Sequence, residues 1–323
     1  MGLIPITLLA QIPSSYTVAA VPPISGGAYC KVAAINNNGV VTGFSYITGG
    51  HAHAITYDGT TLVDLGTLGG NDSYGYAINN SNVVVGWSYN GSGTERPFAA
   101  TSGTMSDLIT TSIYDSGNAT AINDNGVVVG CQTFSGFVAH SCSWSGGVTT
   151  DLYSGGIVPS TNELYAINAS GEMCGEAGPS NTAWITTSTG YYSLGNLAGT
   201  SQGAAQAINI LGEVVGAMPT GSGSKAFLWK PSVPFGSSGT LVDLGNISSA
   251  AYTSAAAINS WGEVVGMSGS HPFYWYAGIM TDLNTKISGY TITEVHGIND
   301  KGQIAAFGLD SGSHFVSLIL TPV

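Results

Sequence analysis

Apolar residues in this chain fall in short runs separated by clusters of Gly, Ser, Thr, Asn and Asp. Val40-Val41, Val83-Val84-Val85, Val127-Val128-Val129, Val214-Val215 and Val264-Val265 head such runs. They are too short for helices, and continuous enough to suit strands covered on both faces, so clean alternation of apolar and polar residues is expected to be weak. Each run follows the same phrase, Ile-Asn-x-x-Gly. Seven copies centre on Asn36, Asn79, Asn123, Asn168, Asn209, Asn259 and Asn299, and the differences between successive positions are 43, 44, 45, 41, 50 and 40 residues. A repeat of this length with several strands and no helix pattern predicts one propeller blade per copy, hence seven.

Asn, two free residues and Gly describe a type I turn followed by a left-handed residue, the three-residue hairpin. Six copies place Gly there (Gly39, Gly126, Gly171, Gly212, Gly262, Gly302) and one places Asn82. Asn is the next most tolerant residue for that conformation. The recurring Asn is expected to cap its own turn by accepting from a backbone N–H two residues on.

Within a repeat the first strand carries Ala-Ile-Asn, and the second is the Val-rich run. The third is aromatic (Ala226-Phe227-Leu228-Trp229, Pro272-Phe273-Tyr274-Trp275), and the fourth carries Asp-Leu-Gly. Tyr16–Val21 reads as a fourth strand without its blade, and His314–Leu320 as a third strand without a fourth. Pairing the two completes the seventh blade and removes two exposed sheet edges. The fold class is therefore all-β, a seven-bladed propeller over residues 16–323, preceded by an apolar arm over residues 1–15. Turns joining strands one to two and three to four lie on one side of the disc and are uniform. The other connections lie on the opposite side and vary, as in 89–96, 113–116 and 154–159, and such loops usually carry binding. Pro231–Gly236 lengthens a turn on the uniform side of blade five and accounts for the 50-residue interval.

Composition narrows the function classes. Net charge is −12 with only 6 Lys and Arg among 323 residues. Without clustered cations the chain lacks the means to grip phosphates, which argues against nucleic acid and anionic membranes as partners. No stretch reaches the apolar length of a membrane span. The opening Met1–Ala10 is apolar but lacks the basic start of a secretory signal, and Ile6 stands where a myristoylation pattern takes Ser or Thr. The four cysteines show no metal-type spacing. Cys131 and Cys142 flank a hairpin near Ser135-Gly136 and could bridge across it; the alternative is four small buried thiols.

The block His53-Ala54-Ile55, Asp64-Leu65-Gly66-Thr67-Leu68-Gly69-Gly70 and Ala77-Ile78-Asn79 resembles the HAF-type extracellular repeat of bacterial proteins. Lys225-Ala226-Phe227-Leu228-Trp229 and Val242-Asp243-Leu244-Gly245 repeat it. The resemblance covers nearly all of the chain after Ser15, departs at Ser193 where Asp is expected, and implies an exported protein.

Candidate chemistry is sparse. His53, His140, His271 and His314 open third strands, and Asp64, Asp151 and Asp282 follow the first three by eleven residues. Folding back at the turn places each Asp beside its His, which predicts a hydrogen bond locking the hairpin. Pro97, Thr182 and Lys225 occupy the same slot elsewhere and break any ring of metal-binding His. Glu172, Glu213 and Glu263 repeat at one position and are expected to serve the blade. The non-repeating groups are Asp72, Glu95, Arg96, Asp115, Glu163, Glu176 and Asp310, with no nucleophile–base pair and no cofactor or metal motif among them. The binding candidates are Tyr46, Tyr89, Arg96, Tyr114, Tyr153 and Tyr252, since exposed Tyr offers contact area at small entropy cost. Trp87, directly after Gly86, reads as packing between blades. These features predict a non-enzymatic extracellular module that recognises a glycan or protein surface. The alternatives are a virion component, with the N-terminal arm gripping a neighbouring subunit, and a polysaccharide-acting hydrolase or lyase.

Overall fold

The computed structural model describes residues 12–109, 116–134, 138–158, 164–177, 182–188, 190–197 and 203–323, with the backbone alone at Phe134 and Val138. Seven antiparallel sheets of four strands each form the chain. The first strands of blades 1 to 7 are Cys30–Ile35, Gly69–Ile78, Gly117–Ile122, Leu164–Ile167, Ala204–Ile208, Thr253–Ile258 and Tyr290–Ile298. Each ends in the Ile-Asn of its repeat, and the seven Ile-Asn pairs converge around one central cavity. These first strands are therefore the innermost of their blades.

The seventh blade is closed as its two incomplete ends require. Tyr16–Val21 pairs antiparallel with Phe315–Pro322, running from Tyr16 opposite Pro322 to Val21 opposite Ser317. The order from rim to axis is Tyr16–Val21, Phe315–Pro322, Ile304–Asp310, Tyr290–Ile298. The N-terminal strand thus protects an edge that would otherwise present unpaired backbone groups.

The core lies between blades. Among the described residues seven apolar clusters form, one per blade boundary. At the fifth boundary Val215, Ala226 and Leu228 of blade 5 pack on Ala255, Phe273 and Trp275 of blade 6. At the closing boundary Val21 and Ile319 of blade 7 pack on Cys30, Val32 and Ile55 of blade 1. Burial on both faces explains the continuous runs, for Ala226–Trp229 and Leu318–Leu320 are buried at every position. Buried hydroxyls pin the same boundaries. Ser317 Oγ accepts from the Val32 N–H at 3.0 Å and donates to the Cys30 carbonyl at 2.9 Å, tying the last blade to the first.

The turns follow the repeat phrase. Gly39, Gly126, Gly171, Gly212, Gly262 and Gly302 all have φ between 71° and 86°, and Asn82 takes the same region at 60°. The long turn of blade 5 joins Gly223–Pro231 to Gly239–Asp243 and is held by the Ser232 N–H on the Ser238 carbonyl at 2.8 Å.

Removing residues 1–21 should lower the melting temperature by about 5–10 °C, from the lost burial of Tyr16 and Val21 at about 1.5–3 kcal/mol each. It should also give concentration-dependent association through the bared edge of Phe315–Pro322. Calorimetry and light scattering check this; an unchanged transition would show that the closure carries no stability.

Candidate functional site

The floor of the central channel is a closed ring of asparagines. Asn36 Nδ2 donates to the Asn79 carbonyl at 2.9 Å, and Asn79 to Asn123 at 3.1 Å. Asn123 donates to Asn168, Asn168 to Asn209, Asn209 to Asn259 and Asn259 to Asn299, at 3.0 to 3.1 Å. Asn299 returns to Asn36 at 2.9 Å. Each Oδ1 accepts from the N–H groups two and four residues on, as Asn259 does from Trp261 at 3.1 Å and Glu263 at 3.0 Å. The first of these bonds is the cap that the sequence predicts. The bond to the next blade is not visible in a single repeat, though a buried amide with its oxygen engaged still needs partners for its nitrogen.

The second amide proton explains two further patterns. Glu172 and Glu213 accept it from Asn168 and Asn209 at 2.8 Å, Gln303 from Asn299 at 2.9 Å, and Glu263 from Asn259. The repeated Glu therefore serves the blade. In blade 1 the equivalent residue is Val40, and there Asn82 of the next blade supplies the acceptor to Asn36 at 2.7 Å. Val83 and Val127 stand at the same position in blades 2 and 3, so the second amide proton meets a Glu or Gln in four blades and Asn82 in one. Ile, Asn and the residues after them line a cavity of about 270 Å³ at this floor.

Above the floor every innermost strand carries a β-bulge three residues before its Asn. The bulged residues are Ala33, Tyr76, Thr120, Tyr165, Gln206, Ala256 and His296. A bulge redirects one side chain without disturbing the pairing on either side. These seven positions differ in every blade except for two Ala and two Tyr, so a uniform scaffold presents a non-uniform wall. Tyr165 donates to Glu176 Oε1 at 3.0 Å. His296 lies beside Glu294, with Nε2 at 3.6 Å from Oε2, and Lys31 bonds the same carboxylate at 2.7 Å. Burial pushes His296 down to about 4, so its imidazole is neutral at physiological pH.

The mouth on the variable side is aromatic over blades 7, 1 and 2. Phe315 stacks on Phe307 at 5.6 Å between centroids, and both contact Tyr29. Tyr29 meets Tyr46 at 5.0 Å, Tyr46 meets Phe44 at 5.7 Å, and Phe44 meets Tyr74 at 4.6 Å. Tyr74 stacks on Trp87 at 4.7 Å, and Trp87 meets Tyr89 edge-on at 5.1 Å. The Trp87 indole N–H donates to the Tyr76 hydroxyl at 2.8 Å, which fixes the ring plane. Trp87 is half-buried and stacks within its own blade, where the sequence suggests packing between blades. Aligning the repeats on their asparagines puts Phe44, Trp87, Cys131, Glu176, Ala217, Met267 and Phe307 in one column. Three consecutive blades hold an aromatic there, and that is the sign of the arc that single-repeat reading misses.

Of the binding candidates, Tyr46 and Tyr89 are brought together in this arc. Tyr153 sits edge-on against His140 at 5.0 Å, and Tyr252 is 66% exposed in the connection between blades 5 and 6. Arg96 is 4% exposed; its Nε donates to Asp107 at 2.8 Å and its guanidinium also reaches the Ile109 carbonyl. Tyr114, Asp115 and Glu163 lie outside the described residues. Asp72 bonds His51 at 3.2 Å, and Asp310 bonds His314 at 3.1 Å.

The predicted hairpin locks are present: His53–Asp64 at 2.9 Å, and His140–Asp151 and His271–Asp282 at 2.7 Å. Blade 2 needs a correction. Arg96 lies opposite Ser88 as His53 lies opposite Ser45, so Arg96 and not Pro97 fills the slot. Lys225 fills it in blade 5 and bonds Asp243 at 2.7 Å, eighteen residues on because of the long turn. Burial pushes the Asp151 and Asp243 carboxyls up, but the bonds from His140 and Ser154 to the one, and from Lys225 and the Gly245 N–H to the other, together outweigh it and hold both below their ordinary value. The Cys131–Cys142 bridge is absent and both thiols are free. Cys131 pairs with Ser141 and Cys142 with Gly130, so the two sulfurs leave opposite faces of the sheet.

No protein-family model matches the sequence, and no curated protein matches it. Solved structures do match. A streptogramin B lyase aligns over 97% of this chain and 100% of its own, at 10% identity and a TM-score of 0.62. YCF48 bound to D1 peptide aligns over 98% of both chains at 12% identity and 0.56. A puromycin-hydrolyzing peptidase of Mycobacterium tuberculosis aligns over 95% of this chain at 10% identity and 0.56, and this chain spans 56% of its length. The shared feature is the fold. It is a fold that carries catalysts, and this corrects the expectation of a non-enzymatic module: blade-serving repeats do not exclude chemistry in the channel. Among the described residues no helix is long and apolar enough to cross a membrane.

Asn259→Ala should cost about 2–4 kcal/mol, since it leaves the Trp261 and Glu263 N–H groups and the Asn299 carbonyl without their partner. Asn71→Ala, at an exposed Asn outside the ring, should stay within about 0.5 kcal/mol. Denaturant titration checks both, and equal effects would show that the ring carries no stability.

Proposed function

We propose that this chain is a glycan-recognition propeller of an exported HAF-type repeat protein, binding its ligand at the aromatic mouth of the channel. The observation that carries this reading is the unbroken arc of eight rings from Phe315 to Tyr89. Sugar rings present apolar C–H faces that stack on aromatic planes, and their hydroxyls need amides and carboxylates beside them. Asn118, Thr120, Gln206 and Ser254 stand at the corresponding strand positions of blades 3, 5 and 6, with Glu95 hydrogen-bonded to Asn118. The wall is short of cations, which suits a neutral ligand. Export is supported by the repeat resemblance.

A glycan array should return neutral oligosaccharides, and Trp87→Ala should weaken their binding about tenfold, for a stacking contribution of about 1.4 kcal/mol, with the propeller still folded by circular dichroism. Wild-type binding in the Trp87→Ala variant, or peptides bound in place of every glycan, would overturn this reading.

Cleavage of the bound chain is a second reading, favoured by one observation. Burial raises the Glu95 carboxyl above its ordinary value, against the opposing bond from Asn118, and a raised carboxyl suits a general acid. Release of reducing ends from a bound glycan, lost by about 100-fold or more in Glu95→Gln with binding kept, would support it. No release from any glycan that binds would sink it.

A further inference from the structure

The aromatic arc does not stop at the channel. Tyr89, its last ring, touches Trp87 on one side and lines a separate cavity of about 420 Å³ on the other. Gly69, Gly70, Gly91 and Gly93 floor that cavity, and Asp72 and Asn90 edge it. It exists because the innermost strand of blade 2 is ten residues long, with an irregularity between Gly69 and Ser73 that carries the chain beyond the bulged strand proper. Leu68 and Gly69 both bridge to Asn90 there, which holds the extension against the 90–93 turn. The floor is backbone for a packing reason. A Cβ at Gly70 would stand 2.5 Å from the Tyr89 Cβ and 2.6 Å from its carbonyl oxygen, so only glycine lets the strand pass so close to the Tyr89 backbone.

We infer that the ligand is a linear oligosaccharide several units long, held in two subsites that share Tyr89, and not a terminal monosaccharide. This rests on the glycan reading of the mouth. One end lies on Trp87 and Tyr74 at the channel. The chain then passes Tyr89 edge-on and leaves over the glycine floor, where exposed backbone groups and Asp72 face its hydroxyls. Asp72 is held in place beside the cavity, since its Oδ1 accepts from the Ala52 N–H at 2.8 Å and its Oδ2 meets His51 at 3.2 Å. Four of the eight lining residues are glycines, so few side chains obstruct this end of the site.

The experiment is titration calorimetry of the whole chain with one neutral oligosaccharide series, from two units to six. Affinity should rise about tenfold between the shortest and longest members. Gly91→Phe should abolish that rise while the shortest ligand binds as to the wild type. Gly91 suits the purpose because its φ is not left-handed and a Cβ there meets nothing nearer than the Gly69 carbonyl at 3.8 Å, so the ring fills the groove without straining the turn. Tyr89→Ala should lower the gain with length more than the affinity of the shortest member. Flat affinity across the series, or a full length gain in Gly91→Phe, would overturn the two-subsite inference and leave the mouth itself standing. Silence from every member would instead overturn the glycan reading on which it rests.

Discussion

Each blade is held to the next by one buried amide. An asparagine at the end of the innermost strand uses its oxygen to close its own turn and its nitrogen to grip the carbonyl of the same residue one blade on. An amide supplies acceptor and donor on one rigid plane, and no other uncharged side chain of that size does. Seven such steps return to their origin, which sets a condition on the whole molecule. The rotation between blades must be the one that lets the last Asn299 meet the first Asn36.

This constraint separates what is uniform from what is free. The turn side carries the ring and the glycine or Asn82 turns, which recur because every boundary has the same Asn-to-carbonyl bond to make, and the Glu or Gln acceptors of blades 4 to 7. The outer hairpins of blades 1, 2, 3, 5 and 6 recur for a similar reason, with His, Arg or Lys paired to Asp. Positions released from both duties are the bulged residues and the column eight residues after each Asn. There the chain changes from blade to blade, and there Phe44, Trp87 and Phe307 of the aromatic arc stand, with His296 beside Glu294 and Lys31. Bulges are well suited to this role, because they re-aim a side chain while the ladder around them stays intact.

The comparison with solved propellers places the fold among catalysts and a peptide-binding protein alike, at identities where only the architecture is shared. The mouth must therefore be read from its own residues. A stacked Tyr74–Trp87 pair pinned by Tyr76 is a rigid platform, and rigidity lowers the ordering cost of binding. The wall is asymmetric, with an aromatic in the shared column only in blades 7, 1 and 2.

Blade number, strand order, closure by Tyr16–Val21 and the left-handed turns were legible along the chain, because each follows from local pattern and from spacing that repeats. So were the His–Asp locks, since a hairpin of fixed length fixes which residues face each other. Register defeated the sequence in two places: Arg96 takes the slot assigned to Pro97, and Cys131 and Cys142 point away from each other, each by a shift of one residue that a period of two turns into opposite faces. The asparagine ring and the aromatic mouth belong to tertiary structure alone. The ring joins residues 40 to 50 positions apart and 263 at its closure, the mouth joins Phe44 to Tyr74 and Tyr29 to Phe307 across blade boundaries, and only the circular arrangement of the blades decides that they touch.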